Sequence, residues 1–306
     1  MKIVFFGTGD FSAKILNGLL DAGRDVVAVV SRIDKVNARN NKIIYSPIKK
    51  LCLEKGIKLF QYAKLNLEGE DDLKALEPDL FITASYGQII KQNILDIPKI
   101  ATVNVHASLL PKYRGPAPIE GAIIGGEKVT GITIMKTELG MDTGDMFLSK
   151  EIPIERDDTA SSVFNKLGVL GVECINEFLN NMNYYLVNAV KQDETKATYF
   201  PMIKKEDYLL NFDDLAINLY NKIRALENCY FIHNGTRYKI LFAVENDKTG
   251  KVGEVLCADG KRGLIIGCRD KSIEVLTMQP EGKQKMFAIQ CMNSNKFKVG
   301  EIIDNT

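Results

Sequence analysis

Apolar runs without alternation, separated by amphipathic stretches, dominate the first two thirds of the chain. Residues 2–7, KIVFFG, read as a buried strand; 10–23, DFSAKILNGLLDAG, place apolar side chains at helical spacing and end on Gly23; 25–31, DVVAVVS, read as the next buried strand. That is a β-α-β unit. The stretch 46–56, SPIKKLCLEKG, opens with the Ser-Pro pair that suits a helix start, and 79–85, DLFITAS, and 100–106, IATVNVH, are again strands. Strands apolar on both faces and separated by helices belong in a parallel sheet covered on both sides.

Beyond these, 117–126, APIEGAIIGG, predict a short helix closed by glycines; 130–137, TGITIMKT, a strand; and 157–182, DDTASSVFNKLGVLGVECINEFLNNM, a capped helix. Residues 188–207, NAVKQDETKATYFPMIKKED, are polar and lose helical periodicity, which suits a linker or an extended crossover, and 212–226 read as one more helix. From Tyr230 the texture changes to short alternating runs at 237–246, 250–259, 263–268, 272–279 and 286–292, broken by Gly and Asp turns as in a small β-barrel or sandwich. The expected organisation is an α/β domain over 1–190, a linker over 191–206 and a β-rich domain over 207–306.

With 306 residues, two domains each long enough to bury a core are the natural expectation. The formal charge of +1 gives no global attraction to nucleic acid or membrane, so a polyanionic partner must meet a local patch. Six cysteines, at 52, 174, 229, 257, 268 and 291, form no C-x-x-C pair, which argues against a zinc site and a secreted disulfide framework. The first residues enter a strand rather than a basic segment with an apolar core, and no apolar run reaches transmembrane length. A cytoplasmic protein with reduced thiols, in the core or at the surface, is expected.

Candidate chemistry concentrates in 104–118, NVHASLLPKYRGPAP. Asn104 and His106 stand two apart on a strand and project from one face, at the carboxyl end where open α/β sheets place their ligands. Prolines 111, 116 and 118 stiffen the loop that follows. A second turn, 139–145, LGMDTGD, offers Asp142, with glycines that allow positive φ and a close backbone approach. Together Asn104, His106 and Asp142 supply an oxyanion donor, a general acid/base and a carboxylate to orient the imidazole. A substrate that brings its own amine needs no protein nucleophile. The other histidine, His233, falls near a hairpin turn and reads as a surface residue. At 7–12, GTGDFS, Ser12 replaces the third glycine of the dinucleotide fingerprint and Asp34 lies late for a ribose-binding acid, so a tight turn without a dinucleotide is favoured.

NVHASLLPKYRGPAP together with 131–147, GITIMKTELGMDTGDMF, resembles the folate-dependent formyltransferase family. The resemblance covers most of the chain, through FFGTGDFSAKIL, SPIKKL, ASYGQII and, near the C-terminus, IRAL and MQPEGKQKM. It implies a Rossmann-like, mostly parallel sheet followed by a smaller OB-like β-barrel domain that binds tRNA. It also implies 10-formyltetrahydrofolate as formyl donor, with no metal, and the pterin between the loop after ASYG and the Asp142 loop. Carried over by position, Asn104, His106 and Asp142 are the catalytic trio, acting through a tetrahedral intermediate. Ser108, Leu109, Leu110 and Pro111 are the folate-contacting loop, and Gln88, Ile89 and Ile90 are further pocket residues.

The acceptor so implied is the amino group of an initiator methionyl-tRNA, met by a monomer. The segment 31–50 supports it with six basic residues against one acid, and Arg39 with Lys42 are the expected tRNA contacts. Residues 207–306 hold fourteen Lys/Arg and thirteen Asp/Glu, so only a one-sided distribution would bind RNA there. A sugar-nucleotide acceptor, hydrolysis of the formyl donor, or an RNA-binding module on a catalytically silent scaffold are the alternatives; Ser12 speaks against a nicotinamide dehydrogenase.

Overall fold

Residues 3–7 carry no polar side chain and form an interior strand of a seven-stranded sheet in the computed structural model, which describes residues 1–36, 41–292 and 296–303. In chain order the elements are β1 (Ile3–Gly7), α1 (Asp10–Asp21), β2 (Val26–Arg32), β3 (Lys35–Val36), β4 (Ile43–Ile44), α2 (Pro47–Lys55), β5 (Leu59–Tyr62), α3 (Leu65–Glu68), α4 (Glu70–Lys74) and β6 (Leu80–Ala84). There follow α5 (Gln92–Leu95), β7 (Ala101–His106), α6 (Pro118–Ile124), β8 (Val129–Lys136), β9 (Met146–Pro153), α7 (Ala160–Asn180) and α8 (Met182–Val187).

The strand order is β5-β2-β1-β6-β7-β8-β9. The first five are parallel, and the β7–β8 and β8–β9 pairs are antiparallel, so that only β8 runs against the rest. One face of this Rossmann-like sheet is sealed by Val4, Phe6, Ala28, Val30, Phe81, Ile90 and Ile94. Each of the larger side chains among these, taken fully out of water, contributes about 1.5–3 kcal/mol before chain entropy is subtracted. The helix starts follow local chemistry: the Ser46 hydroxyl accepts from Lys49 N at the head of α2, Pro47 occupies the first turn, and Gly56 closes it in the left-handed region.

The C-terminal residues build α9 (Ala216–Leu226), β10 (Tyr230–His233), β11 (Thr236–Asn246), β12 (Val255–Asp259), β13 (Gly263–Gly267), β14 (Ser272–Pro280), β15 (Met286–Phe287) and α10 (Ala288–Met292). The strands form one antiparallel sheet ordered β10-β11-β14-β13-β12, with β15 on β14. It curls around a core that includes Phe231, Ile240, Leu264, Ile266, Val275 and Met278, an OB-like arrangement. Residues 1–118, 129–153 and 164–201 make one compact unit, while 119–128, 154–163 and 202–306 make another.

Two sequence expectations need correction. Residues 286–292, expected as a strand, are strand only at Met286–Phe287; Ala288, Cys291 and Met292 then bury themselves at helical spacing as α10. His233 is not on the surface but 3% exposed, stacked on Phe297 at 5.1 Å, with Nε2 3.3 Å from the Glu301 carboxylate. All six cysteines are buried, so none is a surface thiol, and burial pushes the Cys229 and Cys268 thiols up to about 12. Among the described residues no helix is long and apolar enough to cross a membrane.

Candidate active site

The carboxyl end of β7 sets the stage. Asn104 faces Thr83 of β6 in parallel register and Met135 of β8 in antiparallel register, and His106 faces Thr133. The Asn104 side-chain oxygen accepts from Thr83 Oγ1 at 2.9 Å. Its amide N–H pair is therefore the end left to donate.

His106, 5% exposed, meets oxygen on both ring nitrogens. Nε2 lies 3.0 Å from the Tyr113 carbonyl and Nδ1 3.6 Å from Asp142 Oδ1. A proton on either nitrogen thus faces an acceptor, which suits a ring that exchanges one. The second Asp142 oxygen accepts from Gly115 N at 2.8 Å. Asp142 is half-buried, so its remaining approach is from the open side of the site.

The glycines of the acidic turn suggest positive φ, yet the left-handed residue of this turn is Asp142 itself, at φ 53°. That conformation costs an L-residue about 1–2 kcal/mol. Gly144 serves close approach instead, since a Cβ there would sit 2.0 Å from the Lys136 carbonyl oxygen. Gly115, at φ 104°, has no room either: a Cβ would lie 2.6 Å from the Phe200 carbonyl oxygen.

The loop 108–111 is a built turn with a cis Leu110–Pro111 bond. Ser108 is fully buried, its hydroxyl donating to Lys112 O at 2.7 Å. Thr133 Oγ1 donates to Ser108 O and accepts from Leu110 N, at 2.8 and 3.2 Å. Leu110 is buried, whereas Leu109 and Pro111 are half-buried. Gln88 is spent on Tyr62 O and Leu65 N, at 3.0 and 3.3 Å, and Ile90 lies in the core. Of that trio only Ile89, 70% exposed, presents its side chain outward.

Between α5 and the acidic turn lies a cavity of about 610 Å³, walled by Leu95, Ile100, Thr102, Lys136, Thr137 and Leu139, among others. The hydroxyls of Thr102 and Thr137 have no hydrogen-bond partner among the described residues. Buried hydroxyls without partners are uncommon, and two on one cavity mark a place where a polar ligand would satisfy them. At the β1–α1 turn, by contrast, Ser12 Oγ donates to Ala84 O at 2.5 Å and accepts from Thr8 N at 3.1 Å, filling the turn with protein.

After β2 the basic segment contributes β3, which pairs antiparallel with β4. Lys42 is exposed on this segment; Arg39 lies outside the described residues. The root is tied by Lys49, which pairs with Asp34 and donates to Gln61 Oε1 at 3.0 Å, while Gln61 Nε2 donates to Arg32 O at 2.8 Å. Burial works against the Asp34 charge, but the Lys49 and Gln61 hydrogen bonds and the Lys49 charge outweigh it and hold the carboxyl below its usual range. Lys49 is therefore engaged in the protein.

Sequence reasoning did not single out Arg114, Gln192 and Glu194. Arg114 stood inside the quoted loop. Nothing in the polar stretch around Gln192 marked it. Arg114 Nε and Nη2 donate to Gln192 Oε1 at 3.0 and 2.8 Å, and its Nη1 and Nη2 donate to Glu194 at 2.9 and 2.7 Å.

An amide left to donate, an imidazole and a carboxylate at a strand end, beside a cavity with unsatisfied hydroxyls, are the groups that a group-transfer site on a Rossmann-like sheet needs. The chain belongs to the formyl transferase family: that family's model matches residues 1–179, and the model of the formyl transferase C-terminal domain matches 202–296. Over its full length it is similar to methionyl-tRNA formyltransferases. It is 40% identical to that of Caldanaerobacter subterraneus subsp. tengcongensis over 99% of this chain and 100% of the relative. It is also 40% identical to that of Malacoplasma penetrans over 98% and 95%. Among solved structures, HypX from Aquifex aeolicus in complex with tetrahydrofolic acid shares the fold, with a TM-score of 0.64, 19% identity and coverage of 98% of this chain. This chain spans about half of HypX, 48% of its length.

Proposed function

We propose that the protein transfers the formyl group of 10-formyltetrahydrofolate to the amino group of initiator methionyl-tRNA. The observation that carries the reading is the meeting of Asn104, His106 and Asp142 at the end of β7, with Nδ1 and the carboxylate 3.6 Å apart. The donor, when bound, supplies the formyl carbon and a nitrogen that leaves.

Asn104 donates its amide N–H to the oxygen of the attacked carbonyl as charge builds there. His106 accepts the proton of the attacking amine and returns it to the leaving nitrogen. Asp142 holds the ring and balances its charge. The amine suits this division of labour, because an α-amino group has a reference pKa near 8 and is partly neutral near pH 7.

The cavity bounded by Thr102 and Thr137 is the pterin's place in this reading, with the 108–111 loop and Ile89 beside the rest of the donor. Arg39 and Lys42 on the basic segment meet acceptor-stem phosphates. Residues 1–190 carry the chemistry, with the first part of the connecting stretch 191–206 laid against the site, and 207–306 add RNA contacts. The protein works as a cytoplasmic monomer.

Incubation with 10-formyltetrahydrofolate and charged initiator tRNA, followed by digestion and mass spectrometry, should yield N-formylmethionine. The tRNA Michaelis constant should rise steeply with salt, as phosphate contacts require, and that of the donor much less. Retention of tRNA without folate turnover would leave only an RNA-binding module, and preference for a sugar-nucleotide amine or for water would reassign the acceptor.

A further inference from the structure

The segment 190–200, polar and aperiodic, is built into the active site. Val190 and Met146 exchange backbone hydrogen bonds of 2.8 and 2.9 Å. Thr198 N donates to Pro111 O, Arg114 N to Thr198 O, and Phe200 N to Arg114 O, at 3.2, 2.8 and 2.8 Å. Tyr113 N donates to Thr198 Oγ1 at 2.8 Å, and the carbonyl of the same Tyr113 is the oxygen facing His106 Nε2.

Gln192 sits at the middle of this strap. Its Nε2 donates to the carbonyls of Asp142 and Gly144, both at 2.8 Å. Its Oε1 takes two bonds from Arg114, whose side chain is only 9% exposed. The amide can point only one way: turned over, it would set N–H against guanidinium N–H and oxygen against two carbonyls. Arg114 thus orients Gln192, and Gln192 clasps the turn on both sides of Thr143.

We propose that Gln192, oriented by Arg114, is a positioning residue for catalysis, holding the strained Asp142 turn so that the carboxylate faces His106. This rests on the catalytic reading of Asn104, His106 and Asp142. A left-handed Asp keeps its conformation only while its surroundings over-determine it. Among the described residues, the bonds to the Asp142 carbonyl from Gln192 and to its carboxylate from Gly115 contribute to this. Without the first, the turn can relax away from the imidazole.

Gln192→Glu keeps size and the Arg114 contact but sets an anionic oxygen against two carbonyl oxygens. We expect kcat to fall roughly a hundredfold, the effect of a displacement of about 1 Å at a reacting centre. The Michaelis constants for donor and tRNA should stay within about threefold, and the pH profile of kcat should change shape. Gln192→Met, of similar length and uncharged, should act in the same direction and covers failure of the glutamate variant to fold. Because Gln192 acts through Asp142, adding Gln192→Met to Asp142→Asn should cost little beyond the single Asp142 change.

An unchanged kcat in both folded Gln192 variants, or a change confined to the tRNA Michaelis constant, would overturn the positioning role. Full turnover by Asp142→Asn alone would instead remove the catalytic reading beneath it.

Discussion

The two histidines make an instructive pair. Both are buried, at 5% and 3% exposure, and each has a ring nitrogen near a carboxylate, at 3.6 Å for His106 and 3.3 Å for His233. His233 ends β10, lies against the Phe297 ring with 9° between planes, and its neighbours Asn234 and Gly235 form a left-handed turn. Its polar contact closes the C-terminal segment onto the small sheet. His106 ends a parallel strand beside an amide left to donate, and its carboxylate rides on a strained turn next to a cavity. Burial and a nearby acid do not by themselves make a catalytic histidine; under the proposed function it is the Asn104 amide beside His106 and the carboxylate imposed by the turn that do.

The sharpest way to break the comparison is to truncate each ring. His106→Ala should lower turnover by roughly a hundred to ten thousand fold in the folded protein, far more than its loss of up to about 2 kcal/mol of stability accounts for. His233→Ala should leave kcat within about twofold in the folded protein while destabilising it by about 2 kcal/mol, the scale of a buried truncation, seen as an earlier denaturant midpoint. If the two variants exchanged these behaviours, the assignment of the site would be lost. Next in size is Asn104→Ala. The loss of one oxyanion donor is worth about 3 kcal/mol of barrier, so steady-state assays should show kcat down about a hundredfold with the donor's affinity nearly kept. Smallest is the paired change Thr102→Val and Thr137→Val: hydroxyls that wait for a ligand should raise the donor's Michaelis constant up to about tenfold when removed, while thermal stability holds or rises. A lowered stability with unchanged donor affinity would show that the hydroxyls serve the fold.

Much of this was legible in the chain because the central strands need no context. Ile3–Gly7 and Leu80–Ala84 are buried throughout and apolar apart from Thr83, so they announce a covered parallel sheet. The edge strand Met146–Pro153 was not recognised, since Ser149, Glu151 and Pro153 are exposed on one face and Lys150 interrupts the other. His233 was misplaced because hairpin ends are usually wet, and its burial depends on Phe297, far along the chain. The proposed trio of Asn104, His106 and Asp142 stood out through motif spacing. Gln192 did not, because its partners at 114 and 142 lie 78 and 50 residues away and an isolated polar stretch carries no sign of them.

Ser12 has a wider consequence. In a sheet ordered β5-β2-β1-β6-β7, the crevice between β1 and β6 is where related folds receive a nucleotide cofactor. Here a single side-chain oxygen bolts that crevice to Ala84, and the proposed site lies instead at the end of β7, just where the antiparallel β8 brings the chain back. Inhibitors that mimic dinucleotides should therefore find no berth at the old address, and chemists seeking selectivity would do better to start from the opposite flank.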